Sequence, residues 1–155
     1  MQNYLFDDRE ITWQTVESLG AQIYVLAADE TLGIADVLIR FAANMPGKPH
    51  HHLCDFSTFV LQGELRFWRP DGSFKEVRPT ASHVQVAANG PPHSEGAGDQ
   101  PAIVLFSFRG TTGDMVHYLD DASNITNRLS FSDFKAVLAQ QIASGAAAKL
   151  SPRAA

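Results

Sequence analysis

A single cysteine, Cys54, among 155 residues leaves no internal disulfide and no thiolate metal cluster, which suits a reducing compartment. No apolar run reaches the ~18 residues that a bilayer-crossing helix needs. The opening Met1-Gln2-Asn3-Tyr4-Leu5-Phe6-Asp7-Asp8 also lacks a basic segment followed by an apolar one. The expected location is cytoplasmic, with no membrane partner. Basic residues are outnumbered, 12 Lys and Arg against 17 Asp and Glu for a net charge of −5, and the two signs are interspersed. Without a basic stripe, nucleic acid is not an expected partner. Internal repeats and low-complexity blocks are missing too, apart from an alanine-rich tail.

What is present is ordinary globular material: 45% hydrophobic and 19% charged residues, in a length that matches one domain able to bury its own core. Between residues 21 and 107, short apolar or alternating runs are separated by Gly, Pro, Asn and Asp, the all-β pattern. Strands are expected over 22–27, 34–42, 57–62, 64–69, 74–78, 82–87 and 103–108, with one more over 115–119. Pro70-Asp71-Gly72-Ser73 carries a tight-turn signal between two of them, which makes 64–69 and 74–78 antiparallel neighbours.

The spacing of Phe134, Val137, Leu138 and Ile142 predicts one C-terminal helix with a single apolar stripe, its start capped by Ser130 and Asp133. The expected organisation is an arm over 1–20, a β-barrel over 21–120, a helical segment over 121–145 and a flexible tail over 146–155.

The densest chemistry lies in Pro49-His50-His51-His52. In extended backbone, side chains alternate between faces. His50 and His52 therefore share a side, roughly 6.5–7 Å apart along the strand, and His51 turns away. Two imidazoles leave a divalent ion under-coordinated, so a third ligand must come from His83, His93 or His117. His93 follows the turn Asn89-Gly90-Pro91-Pro92, whereas the other two sit inside alternating runs. His93 is the chosen third ligand.

These residues resemble the cupin superfamily, small jelly-roll β-barrels whose first motif reads Gly-x5-His-x-His-x3-4-Glu-x6-Gly and whose second reads Gly-x5-Pro-x-Gly-x2-His-x3-Asn. Here the first runs from His50 to Gly63 and the second survives as Gly90-Pro91-Pro92-His93. The resemblance implies a single all-β cupin barrel with a short C-terminal helix. It departs from the pattern where Phe56 or Ser57 takes the glutamate position, and where Ala88 and Ala97 replace Pro and Asn. The chain is thus similar to three-histidine cupins, including acetylacetone-cleaving and dihydroxyacetophenone-type dioxygenases and the cupin domain of ChrR-type anti-sigma factors. That likeness further implies a homo-oligomer, a dimer or tetramer.

Three neutral imidazoles leave the full +2 charge on an ion and occupy one face of a six-coordinate shell. Positions remain for a chelating small-molecule substrate and for dioxygen. The implied activity is an Fe(II)-dependent dioxygenase cleaving a carbon–carbon bond of a β-diketone or hydroxyketone. Zn, Ni and Cu suit the same ligands. A zinc-binding sensor module and a metal-dependent isomerase are the competing functions. Phe59, Phe106, Phe108 and Met115 are candidate pocket walls, with Trp13 or Tyr118 as covers. Glu95, two residues beyond His93, can share its face and serve the ion as a supporting group or extra ligand, against the stronger expectation that it is solvated in the 95–99 loop.

Overall fold

Alternating apolar and polar residues become two facing β layers in the computed structural model, which describes residues 5–17 and 19–146. In chain order the elements are β1 (Gln14–Val16), β2 (Ala21–Asp29), β3 (Ile34–Phe41), β4 (His50–His52), β5 (Asp55–Gln62), β6 (Glu64–Trp68), β7 (Phe74–Pro79), β8 (His83–Val86), β9 (Ser94–Ala97), β10 (Ala102–Arg109), β11 (Asp114–Leu119), β12 (Ile125–Ser130) and α1 (Phe131–Ala143). One layer is a six-stranded sheet in the order β1-β2-β3-β10-β5-β8. The other consists of two three-stranded sheets, β12-β11-β4 and β7-β6-β9. An isolated bridge between His50 and His93 joins them.

Every pairing in these sheets is antiparallel. The inward faces of both layers share one core that includes Val25, Val37, Phe56, Val60, Leu65, Phe67, Val104, Phe106, Phe108 and Met115. The hairpin read from Pro70-Asp71-Gly72-Ser73 joins β6 to β7. Gly72 adopts φ +81°, Arg69 N–H donates to the Ser73 carbonyl at 2.8 Å, and Asp71 Oδ1 accepts from Ser73 N–H at 2.9 Å.

Four short strands lie outside the strand ranges expected from the sequence: β1 in the N-terminal arm, β4 at the histidines already read as extended, β9 and β12. The last, 125–130, pairs with β11 inside the segment expected over 121–145, and the helix begins at Phe131, directly after the expected cap residue Ser130. Ser130 N–H donates to Asp133 Oδ2 at 2.7 Å, which caps that start. The stripe is rotated from the expected one. Phe131, Phe134 and Gln141 are buried, while Ile142 is 62% exposed. Gln141 is drawn inward because β1 pairs only with Ala21, Gln22 and Ile23, leaving β2 unpaired on that side at Val25. Val25 N–H donates to Gln141 Oε1 and Gln141 Nε2 donates to the Val25 carbonyl, both at 2.9 Å. One side-chain amide thus replaces a neighbouring strand. Of the expected tail, 147–155 lies outside the described residues.

Candidate metal centre

Strand β4 is three histidines long, and its alternation buries His50 and His52 while His51 stays half-exposed opposite His117. The turn through Gly90 and Pro91 returns the chain so that His93 pairs with His50. His50 N–H donates to the His93 carbonyl at 2.8 Å, and His93 N–H donates to the His50 carbonyl at 3.0 Å. Two of the three imidazoles are therefore placed by one backbone pair.

Their ring orientations have equally local causes. His50 Nδ1 lies 2.9 Å from the Lys48 carbonyl and His93 Nδ1 lies 3.2 Å from the Pro91 carbonyl. A carbonyl can only accept, so each Nδ1 carries the proton and each Nε2 presents a lone pair. His52 is held by aromatic packing, stacked on Phe56 at a centroid distance of 4.0 Å and flanked by Phe108 at 6.1 Å. His50 Nε2 and His52 Nε2 are 3.1 Å apart. Two nitrogens bound at right angles to one ion at ~2.1 Å would be about 3.0 Å apart.

Glu95 completes the group, correcting the expectation of a solvated loop residue. It lies in β9, opposite Phe67 of β6, and is 6% exposed. Its Oε1 is 3.5 Å from His50 Nε2 and its Oε2 is 3.9 Å from His93 Nε2. The two-residue alternation that pairs His50 with His52 also pairs His93 with Glu95, so the signal was present in the sequence. Its burial depends on the segment before β4, which crosses β9 closely. Gly47 N–H donates to the Glu95 carbonyl at 2.7 Å, and a Cβ on Gly96 would stand 2.7 Å from the Met45 carbonyl oxygen.

The ligand atoms of His50, His52, His93 and Glu95 all lie within 4.8 Å of one another, so the cluster could hold a metal ion. His93 Nε2 and Glu95 Oε2 are buried without a hydrogen-bond partner among the described residues. Groups so oriented are costly unless a cation satisfies them. Burial pushes His50 down to about 3 and His93 down to about 4, and drives His52 well below the ordinary imidazole value. It pushes Glu95 up to about 8. The imidazoles are thereby kept neutral and able to coordinate.

The carboxylate arrives from the second half of the barrel rather than from the first motif. Phe56 occupies that earlier position, points inward and stacks on His52. Phe106 and Phe108 are buried behind the histidines, and Met115 is buried in the core. Phe59 corrects the expected pocket wall. β5 buries Phe56, Thr58 and Val60, so the opposite alternation turns Phe59 outward toward His83, at 36% exposure. Trp13 packs with Asp8 and Arg40 instead. Its Nε1 donates to Asp8 Oδ2 at 3.0 Å, and Arg40 lies over its ring. Tyr118 does lie at the site, 5.7 Å from the His50 ring, and burial and then the Glu95 charge raise its phenol's pKa.

Two small cavities reach the cluster. One is lined by His50, Glu95, Tyr118, Phe41 and Lys48, among others. The second is lined by His52, His93, Phe56, Phe67, Lys75 and Arg78, with Val86, Ala87, Gly90 and Pro91. Lys75 and Arg78 were not singled out from the sequence, and Phe67 was noted only as part of a strand.

In fold, the chain is similar to an RmlC-like cupin protein from Ralstonia eutropha JMP134 (TM-score 0.70, 19% identity, 99% of this chain and 94% of that one). It is also similar to an acetylacetone dioxygenase from Acinetobacter johnsonii (TM-score 0.66, 11% identity, 90% and 93%). A third likeness is to the polyketide cyclase RemF from Streptomyces resistomycificus (TM-score 0.54, 19% identity, 70% and 80%). No curated protein matches it in sequence. Residues 1–88, more than half of the chain and including His50 and His52, match the model of the ChrR cupin-like domain. Sequence motif, barrel and family model agree: the chain belongs to the ChrR cupin-like domain family.

Proposed function

We propose that the protein is a metal-dependent dioxygenase that cleaves a carbon–carbon bond of a small β-diketone or hydroxyketone, with Fe(II) held by His50, His52 and His93. The observation that carries this reading is the donor set itself: three neutral imidazoles converging beside a buried carboxyl group, with aromatic rings around them. A ferrous ion there supplies a Lewis acid for a carbonyl compound and a centre for its encounter with dioxygen.

The residues of the chain perform the remaining work. His50 and His93, anchored through Nδ1, keep their Nε2 atoms aimed inward at no further cost in ordering. Phe56, Phe67 and Phe108 exclude water around His52 and His93. Glu95 takes the acidic proton of the carbon next to the substrate carbonyl at Oε2, the oxygen without a partner. Burial favours the protonated form of this carboxyl, and a divalent ion beside it would favour the ionised form that accepts a proton.

A second reading is a zinc-binding module, favoured by the same Glu95, which as a fourth donor would close a tetrahedral site. Protein loaded anaerobically with Fe(II) and mixed with pentane-2,4-dione or an aromatic hydroxyketone should consume oxygen in proportion to substrate. No uptake, together with zinc that resists exchange, would establish the second reading instead.

A further inference from the structure

β6 and β7 fall out of step at one point. Phe67 pairs with Glu76 and the next residue, Trp68, pairs with Phe74, so Lys75 is an extra residue in β7. Such a bulge re-aims the side chains beside it. In uninterrupted strand, residues 75 and 78 would face opposite sides. Here both lie against the Phe67 ring, Lys75 Nζ at 5.8 Å and the Arg78 guanidinium at 4.2 Å from its centroid. That ring stands edge-on to His93 at 5.4 Å. Both cations line the same cavity as His52 and His93.

The two are not equivalent. Arg78 is committed: its Nε and Nη2 donate to Glu76 Oε1 at 2.8 and 2.6 Å, and Nη1 donates to the buried Thr58 hydroxyl at 2.8 Å. Lys75 has no carboxylate partner within 4.0 Å among the described residues. Lys75 is half-buried at the cavity, its ammonium over the Phe67 ring and within electrostatic reach of Glu95 and His93. A cation that borders a cavity without a direct ion pair of its own is a binding group for an anion that enters.

We propose that Lys75, aimed by the bulge and backed by Arg78, binds a carboxylate on the substrate, so that the site takes carbonyl compounds bearing a distal carboxylate rather than neutral ones. This rests on the proposed reading of the metal centre and narrows its substrate class. Phe56, Phe67 and Pro91 line the same small cavity and would contact a short hydrocarbon link between chelating carbonyls and acid group if it opens to admit one.

The test compares two β-diketones that differ in this respect, pentane-2,4-dione and 4,6-dioxoheptanoate, by calorimetric titration into the full chain loaded with Zn²⁺, which binds without turnover. The expected result is at least ten-fold tighter binding of 4,6-dioxoheptanoate. That preference should fall below three-fold in Lys75→Met, with zinc content unchanged, and should return in Lys75→Arg. Equal affinities in the wild type, a preference that survives Lys75→Met, or failure of both diketones to bind overturns the proposal. Failure of the oxygenase reading is separate: it shows as absent oxygen uptake with Fe(II) while the binding ratio stands.

Discussion

His50 and His93 are bonded to each other twice through their main chains, at 2.8 and 3.0 Å, although they stand 43 positions apart in sequence. The bridge joins the two three-stranded sheets and sets two rings of the candidate metal centre side by side, with centroids 4.8 Å apart. The seam of the barrel and the candidate metal centre are therefore one feature. A bound ion ties the two sheets together through side chains where the backbone already joins them, so saturating metal should raise the unfolding temperature by several degrees. Thermal unfolding with and without Zn²⁺ reads this directly, and an unchanged midpoint would speak against binding in the native fold.

Glu95→Gln separates the two functional readings. If Glu95 moves a proton, the variant should retain Fe(II) within about three-fold while oxygen uptake falls by 10²-fold or more, within the range for loss of general-base catalysis. Loss of metal with the carboxylate would assign Glu95 as a structural ligand.

The metal-free protein should be most stable near pH 6.5. In the folded chain His50 and His93 take up protons only near 3 and 4, against an ordinary value of 6.5. The unfolded state therefore binds more protons as pH falls below 6.5, and stability is lost toward pH 4. Glu95 acts in the other direction: folded, it keeps its proton up to about 8 against an ordinary 4.5. Its contribution is lost as pH rises from 4.5 to 8. Below 6.5 the histidines outnumber it, and above 6.5 it acts without them. The decline from 6.5 to 8 should amount to about 1.4 kcal/mol per pH unit at most, and Glu95→Gln should flatten it. Urea denaturation across this range checks both limbs, and an alkaline limb that persists in the variant has another origin.

Much of this was legible in the sequence because it follows from alternation. The same period that placed His50 and His52 together and His51 apart also applied to His93 and Glu95. Glu95 was misread because Gly96 and Gly98 nearby gave the segment the composition of a loop. The burial comes from elsewhere, from Met45, Pro46 and Gly47 crossing over β9. Phe59 failed for a related reason: an eight-residue strand of mixed character, Asp55–Gln62, does not reveal which alternation faces the core. Lys75 was unreadable, since a bulge is a mismatch between two strands and neither strand alone records it.

That crossing gives a further expectation. A methyl group added at Gly96 would meet the Met45 carbonyl at 2.7 Å and Pro46 Cα at 3.0 Å, both backbone. Gly96→Ala should destabilise the fold by about 1–3 kcal/mol, as overpacking does. It should also weaken metal retention, because the displaced segment covers Glu95. A variant with wild-type stability and metal content would show that the crossing is looser than described.

Gln141→Ala provides the contrast, a destabilising change remote from the site. It leaves the Val25 N–H and carbonyl without their partner, at a cost of about 2 kcal/mol or more. Metal affinity of the folded variant should be unchanged. A parallel loss of metal would mean that α1 and the centre are coupled.

The central claim, that His50, His52 and His93 hold one divalent ion, is tested most directly by elemental analysis of the full chain and two variants, purified without added metal, equilibrated with a slight excess of Fe(II) or Zn²⁺ and freed of unbound ion. The account requires about one ion per wild-type chain, about one in His51→Ala, and less than a tenth of that in His93→Ala. Equal metal content in wild type and His93→Ala, or its loss in His51→Ala, would contradict it.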